Sequence, residues 1–124
     1  MILVDTSVWI DHLRHGDARV VATLDAGLAL GHPHVVGELA CGNLRARAEV
    51  LRLLAALPQA HVAQAEEVLF FIEHHRLMGR GIGYTDAHLL AATALSNGAR
   101  LWTRDERLAA LAQELGLAHA EPAH

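Results

Sequence analysis

Asp5, Glu38, Asp86 and Asp105 are the side chains whose type and placing in this chain point to chemistry. Asp5 closes an apolar run, Met1-Ile2-Leu3-Val4, that reads as a buried strand. Asp105 follows a second short apolar segment, Arg100-Leu101-Trp102-Thr103, and Asp86 opens a helical stretch that continues through Leu89 and Leu90. In an open parallel sheet, ligands bind beyond the carboxyl ends of the strands. Asp5 and Asp105 both fall there. Each acid also has a structural reading. Asp5 can cap the helix after it, and Asp86 complements a helix dipole. Thr103 to Glu106 reads as a capping box with Asp105 in the first turn, and Glu38 as a solvent-facing helical acid. Together, however, three acids at three helix starts share one edge of an α/β layer. Carboxylates crowded without compensation are costly and ask for a cation. All-oxygen donors suit Mg²⁺ or Mn²⁺. A carboxylate-held pair of such ions serves in-line displacement at phosphorus, so phosphodiester hydrolysis is the chemistry that follows.

The elements that must position these acids alternate between strand and helix, which predicts an α/β fold with a mainly parallel, four- to five-stranded sheet. The first strand runs from Ile2 to Asp5, with helices over about 7–14 and 17–27. A short strand at 28–30 leads through Pro33, a good first-turn residue, into the helix carrying Glu38. That helix stops near Gly42-Asn43, and another runs from Leu44 to Leu57, ahead of Pro58. Residues 60–63 read as the third strand and 64–78 as a long helix. After the glycine-rich loop 79–83, a helix over 85–96 ends at Asn97-Gly98. The fourth strand spans 100–103, the last helix 104–115, and 117–120 is expected to add an edge strand. The chain reads as one domain over residues 1–124, with 121–124 a loose tail.

Bulk composition narrows the field. At 124 residues, 52% apolar and 19% charged, the chain is long enough for a core and too apolar for disorder. No apolar run approaches the roughly 20 residues that span a bilayer. The start shows no basic region of a secretory signal. A lone cysteine, Cys41, excludes an internal disulfide and fits a reducing cytoplasm. All ten basic residues are Arg. The lack of Lys removes Schiff-base chemistry, a lysine base and a P-loop. With a net charge of -4, nucleic acid is not held by a bulk basic field. Divalent cations at the acidic site would offset that balance, two of them matching four carboxylates.

Four segments, Asp5-Thr6-Ser7, Glu38 to Gly42, Thr85 to Ala94 and Trp102 to Asp105, occur in the order and spacing of PIN-domain ribonucleases. Within that family the chain resembles the VapC toxins of bacterial toxin–antitoxin modules, over essentially its whole length. The resemblance implies a three-layer α/β/α fold in which Asp5, Glu38, Asp86 and Asp105 hold Mg²⁺ or Mn²⁺ and form the catalytic set. Asp5 would be the central ligand, with Glu38 orienting water or ligating through it. RNA would be cut by a metal-activated water, leaving a 5′-phosphate and a 3′-hydroxyl. Thr6, Ser7 and Thr103 would hold waters or a phosphate. The resemblance also implies a cognate antitoxin, docking on the helices around 17–27 and 44–57, and a homodimer. One departure is that Glu106 and Arg107 follow Asp105, where many members carry a further acid. Glu106 is also claimed by the capping box, so the second metal site is expected to be weak.

Other residues are read as bystanders. The ten histidines lack paired ligand spacings for zinc. His88 is expected to pack beside the site, and Cys41 to be a small buried hydrophobe. The run Val68 to Ile72 reads as core or as a dimer face. Among the arginines Arg80, in the glycine loop, is the first candidate for RNA, with Arg104 and Arg107 behind it. A haloacid-dehalogenase-type phosphatase needs an acid two residues after the first aspartate, where Ser7 stands, and a Lys. A phosphoacceptor receiver domain fails on the same missing Lys. A silent protein-binding domain and an RNA-processing nuclease that is not a toxin stay as alternatives.

Overall fold

The computed structural model describes residues 1–121 and contains, among them, seven helices and one parallel sheet. Strand β1 is Ile2–Val4, β2 is Ala29–Leu30 and β3 is Arg100–Trp102, in the spatial order β2-β1-β3. Leu3 pairs with both Leu30 and Leu101, so β1 is the centre of the sheet. Leu3 and Val4 are essentially without exposure, as expected of a strand flanked and covered on both faces.

The helices are α1 (Thr6–His15), α2 (Ala18–Asp25), α3 (Pro33–Ala40), α4 (Arg47–Ala56), α5 (Ala65–His75), α6 (Tyr84–Leu95) and α7 (Glu106–Glu114). Helix α6 is buried at every position from Ala87 to Thr93. An apolar helix without a polar face belongs inside, and α6 packs against β3, α3 and α5. Its position anchors Asp86, in its first turn.

Three sequence-based expectations need correction. The sheet has three strands, not four or five. Residues 60–63 do not form a strand: Ala60 N–H donates to Gly31 O and Gly31 N–H to Pro58 O, giving one bridge at Gln59. His61 N–H faces the opposite edge and goes to the Ser96 hydroxyl, and the ladder ends because the neighbouring chain enters α3 at Pro33, which has no N–H to donate. The expected edge strand at 117–120 likewise shrinks to a bridge at Ala118 opposite Leu101. Cys41, third, is exposed at the end of α3. Of the expected loose tail, 122–124 lie outside the described residues, whereas Glu121 is firmly held, as shown below.

Candidate active site

Asp5 leaves the carboxyl end of β1 and caps α1, accepting from Ser7 N–H. Its backbone N–H donates to Trp102 O, which sets the ends of β1 and β3 side by side. Asp5 is buried, 5% exposed, and Oδ2 takes two hydroxyl donors, Ser7 Oγ at 2.7 Å and Thr103 Oγ1 at 2.8 Å. Thr103 Oγ1 in turn accepts from Asp105 N–H at 3.1 Å. The capping box expected at Thr103 is absent. Asp105 itself is the N-cap of α7, accepting from Leu108 N–H at 2.9 Å. Thr103 is thereby released to bridge Asp5 and Asp105, and Glu106 makes no described hydrogen bond back to a cap.

Glu38 reaches the same edge from α3, where Thr6 Oγ1 donates to its Oε1 at 2.7 Å. Asp86 joins from α6, its carboxylate accepting from Gly83 N–H at 3.4 Å. Burial pushes the Asp86 carboxyl above its ordinary range. The Gly83 N–H works the other way, and the charges of Asp5, Asp105 and Glu38 add to the upward push. Asp86 therefore lies close enough to the other three acids to feel their charges. None of the four acids takes part in a described ion pair. An acidic cluster compensated only by hydroxyls and backbone N–H groups retains its affinity for a cation.

The donor set, all carboxylate and hydroxyl oxygen, fits a hard divalent cation. Asp5 keeps Oδ1 without a described hydrogen bond, since both hydroxyls fall on Oδ2. Yet among the described residues no three Asp, Glu, His or Cys side chains are drawn into a metal cage.

Of the arginines expected at RNA, Arg80 and Arg104 are engaged with carboxylates. Arg80 pairs with Glu114 of α7 at 2.8 Å. Arg107 lies against Gly81, whose φ of 84° and lack of Cβ make room for it. Arg104 donates from Nε to Glu121, from Nη1 to Asp11 and from Nη2 to Asp17, at 2.6, 2.9 and 2.6 Å. Its backbone N–H donates to Ser7 Oγ, and its guanidinium lies 5.7 Å from the centre of the Trp102 ring. Arg19 also donates to Asp17 and Glu121, and Trp102 Nε1–H to Glu121. Despite the opposing effect of burial, the bonds to Glu121, Asp17 and Asp11 push the Arg104 pKa up. Hydrogen bonds from Arg19 and then Arg104 hold Asp17 well below the usual carboxylate range. This lattice pins the turn that carries Thr103 and Asp105 to α1, α2 and the C-terminal segment. Its members are scattered at 11, 17, 19, 104 and 121, and no local spacing announces it.

His88 packs among other rings. Its ring lies 4.2 Å from that of His34 and 4.6 Å from Tyr84, centre to centre, with buried His32 behind. His32 Nδ1 accepts from His34 N–H and caps α3, so its Nε2 bears the proton. That tautomer offers no lone pair from Nε2 to a metal. Burial, then the neighbouring His34 and His88, lower the His32 pKa to about 4.

A PIN-domain family model matches residues 2–114. Ribonuclease VapC32 of Mycobacterium tuberculosis, in strain CDC 1551 / Oshkosh and in strain ATCC 25618 / H37Rv, is 54% identical over 121 residues, covering 98% of both chains. In fold, the chain is similar to one in the crystal structure of FitAcB from Neisseria gonorrhoeae. The TM-score is 0.63 at 24% identity, over 91% of this chain and 94% of that one.

Proposed function

The chain belongs to the PIN-domain family, and on that footing we propose that it is a divalent-metal-dependent endoribonuclease, the toxin of a toxin–antitoxin module. The convergence of Asp5, Glu38, Asp86 and Asp105, with only hydroxyl and amide partners, carries the reading. The name of the VapC32 relatives supports the RNA substrate and the toxin role.

Asp5, Asp86 and Asp105 would hold Mg²⁺ or Mn²⁺, with Glu38 alongside. The cation would supply a lowered pKa for an attacking water and compensation for charge gathering on the phosphate. The chain's own residues do the rest. Ser7 and Thr103 fix the Asp5 carboxylate in one orientation. Thr6 holds Glu38 at an exposed position where its free oxygen orients a water and takes its proton. The Asp105 backbone, tied to Thr103, keeps the fourth acid in register with the first. Hydrolysis in this arrangement leaves a 5′-phosphate and a 3′-hydroxyl.

The partners follow the same reading. An antitoxin docks on α2 and α4, which expose Val21 and Leu53. A second copy covers α5 and α6, where Leu69 and Phe70 are 57% and 60% exposed beside Leu95. The working compartment is the cytoplasm; among the described residues no helix is long and apolar enough to cross a membrane.

The test is cleavage of a cellular RNA pool with Mg²⁺ or Mn²⁺, beside an EDTA control and Asp5→Asn. Asn also caps helices well, so the variant keeps its fold while losing the charge. Metal-dependent cutting that vanishes in Asp5→Asn is expected. Equal cutting by both proteins would refute the site.

A further inference from the structure

We propose that the cavity between α1 and the α3–α4 turn is a nucleotide subsite, taking one residue of single-stranded RNA beside the bond to be cut. The inference rests on the ribonuclease reading and adds where the strand lies. The cavity measures about 480 Å³ and shares Glu38 with the acidic edge. That size is within the roughly 300–1,000 Å³ typical of sites for small ligands. Leu13, Leu39 and Leu44 give it an apolar floor, and Arg14 and Arg45 stand on its rim.

Two independent observations choose RNA as the occupant. The first is continuity. Thr6, Ile10 and Arg14 are spaced four apart and so share one face of α1, two turns long. At 1.5 Å per residue, Arg14 lies about 12 Å along the axis from Thr6, whose hydroxyl holds Glu38. A strand whose phosphate sits at the four acids therefore runs onto this rim.

The second is the placing of the unpaired arginines. Arg19, Arg80 and Arg104 are paired with carboxylates, and Arg47 and Arg100 donate to backbone carbonyls. Arg14, Arg45, Arg52, Arg76 and Arg107 are exposed and have no described side-chain hydrogen bond or ion pair, and of these five Arg14 and Arg45 line this cavity. In a chain of net charge -4, two uncompensated guanidiniums next to the catalytic edge are the complement a phosphate requires. The base then lies on the leucine floor, with the side chains of His15 and Asn43 lining the same cavity.

The test measures binding of a fluorescein-labelled ten-nucleotide RNA of mixed sequence, by anisotropy in EDTA, across a salt series. Wild type, Arg14→Ala/Arg45→Ala and, as a control, the equally unpaired pair Arg52→Ala/Arg76→Ala are compared. Removing two phosphate contacts to a single strand lowers the slope of log affinity against log salt by about 1.4, equivalent to about 25-fold weaker binding at 0.1 M salt. With Mn²⁺ present, the same variant should raise KM and leave kcat within about twofold. Circular dichroism checks that it is folded, which exposed positions favour. An unchanged slope in a wild type that binds and cuts RNA overturns the subsite alone. Equal losses in the control pair reduce it to a diffuse field and also overturn it. Intact RNA binding with loss of a co-expressed antitoxin makes the cavity a protein groove, again against the proposal. A wild type that neither binds nor cuts RNA overturns the ribonuclease reading itself.

Discussion

Replacing Arg104 with Gln separates its place in the structure from the RNA contact that its sequence position suggests. The substitution keeps a planar polar end and removes the charge that serves three carboxylates, those of Asp11, Asp17 and Glu121. Breaking a fully buried ion pair from one side costs about 3–5 kcal/mol. The Arg104 side chain is 22% exposed, and Asp11 is half open to solvent at 51%. Solvent screening therefore removes part of that cost. Arg19 stays behind to neutralise Asp17 and Glu121. About 2 kcal/mol of lost stability is the expected outcome. For a chain of 124 residues, that corresponds to a melting temperature lower by about 7 °C. The turn holding Thr103 and Asp105 should loosen as well, so cleavage should fall through kcat. The assay is thermal unfolding with cleavage kinetics on the same protein, and the affinity of a short RNA in EDTA. A variant with unchanged melting temperature and weaker RNA binding would refute the lattice and return Arg104 to the substrate.

Three further outcomes follow from named contacts. The fold favours neutral His32, with a pKa of about 4 against an ordinary 6.5, so the unfolded chain takes up the proton first. The stability this group confers is complete above pH 6.5 and lost as pH falls towards 4, about 3 kcal/mol in all. His32→Asn keeps a cap for α3 and should flatten that loss in urea titrations at pH 7.5 and 4.5; equal losses in both proteins would contradict it. Thr103→Val removes one donor to Asp5 and the acceptor of Asp105 N–H, and should cost about 1–2 kcal/mol. Its kcat should fall at least tenfold with KM little changed, and an unaffected kcat would deny the bridge its role. Mn²⁺ at 100 times its Kd should stabilise the protein by about 2.7 kcal/mol in thermal melts. That gain should disappear in Asp5→Asn, and an identical gain in both would place the cation elsewhere.

Three of the four acids were legible in the sequence because each stands at a boundary that local chemistry enforces, whereas Glu38, inside α3, was legible only through the family resemblance. Asp5 and Asp105 follow apolar strand runs and cap the helices after them, and Asp86 lies in the first turn of the most deeply buried helix. Alternation of strand and helix likewise predicted the α/β class, and the helices begin and end within a few residues of their sequence signals. Strand count was not legible, because residues 60–63 pair only as far as a distant neighbour stays extended beside them, and that neighbour passes from the bridge at Gly31 into α3 at Pro33. Nor could the capping residue of α7 be chosen in advance. Thr103 and Asp105 are both good caps, and the choice turns on Asp5, 98 positions upstream, claiming the threonine hydroxyl. The fate of Arg104 was settled in the same way, by carboxylates at 11, 17 and 121 that only folding assembles around it. Periodicity and capping act over a few residues and can be read along the chain. The partner of a buried donor or charge is fixed by proximity in space, and that belongs to the tertiary structure.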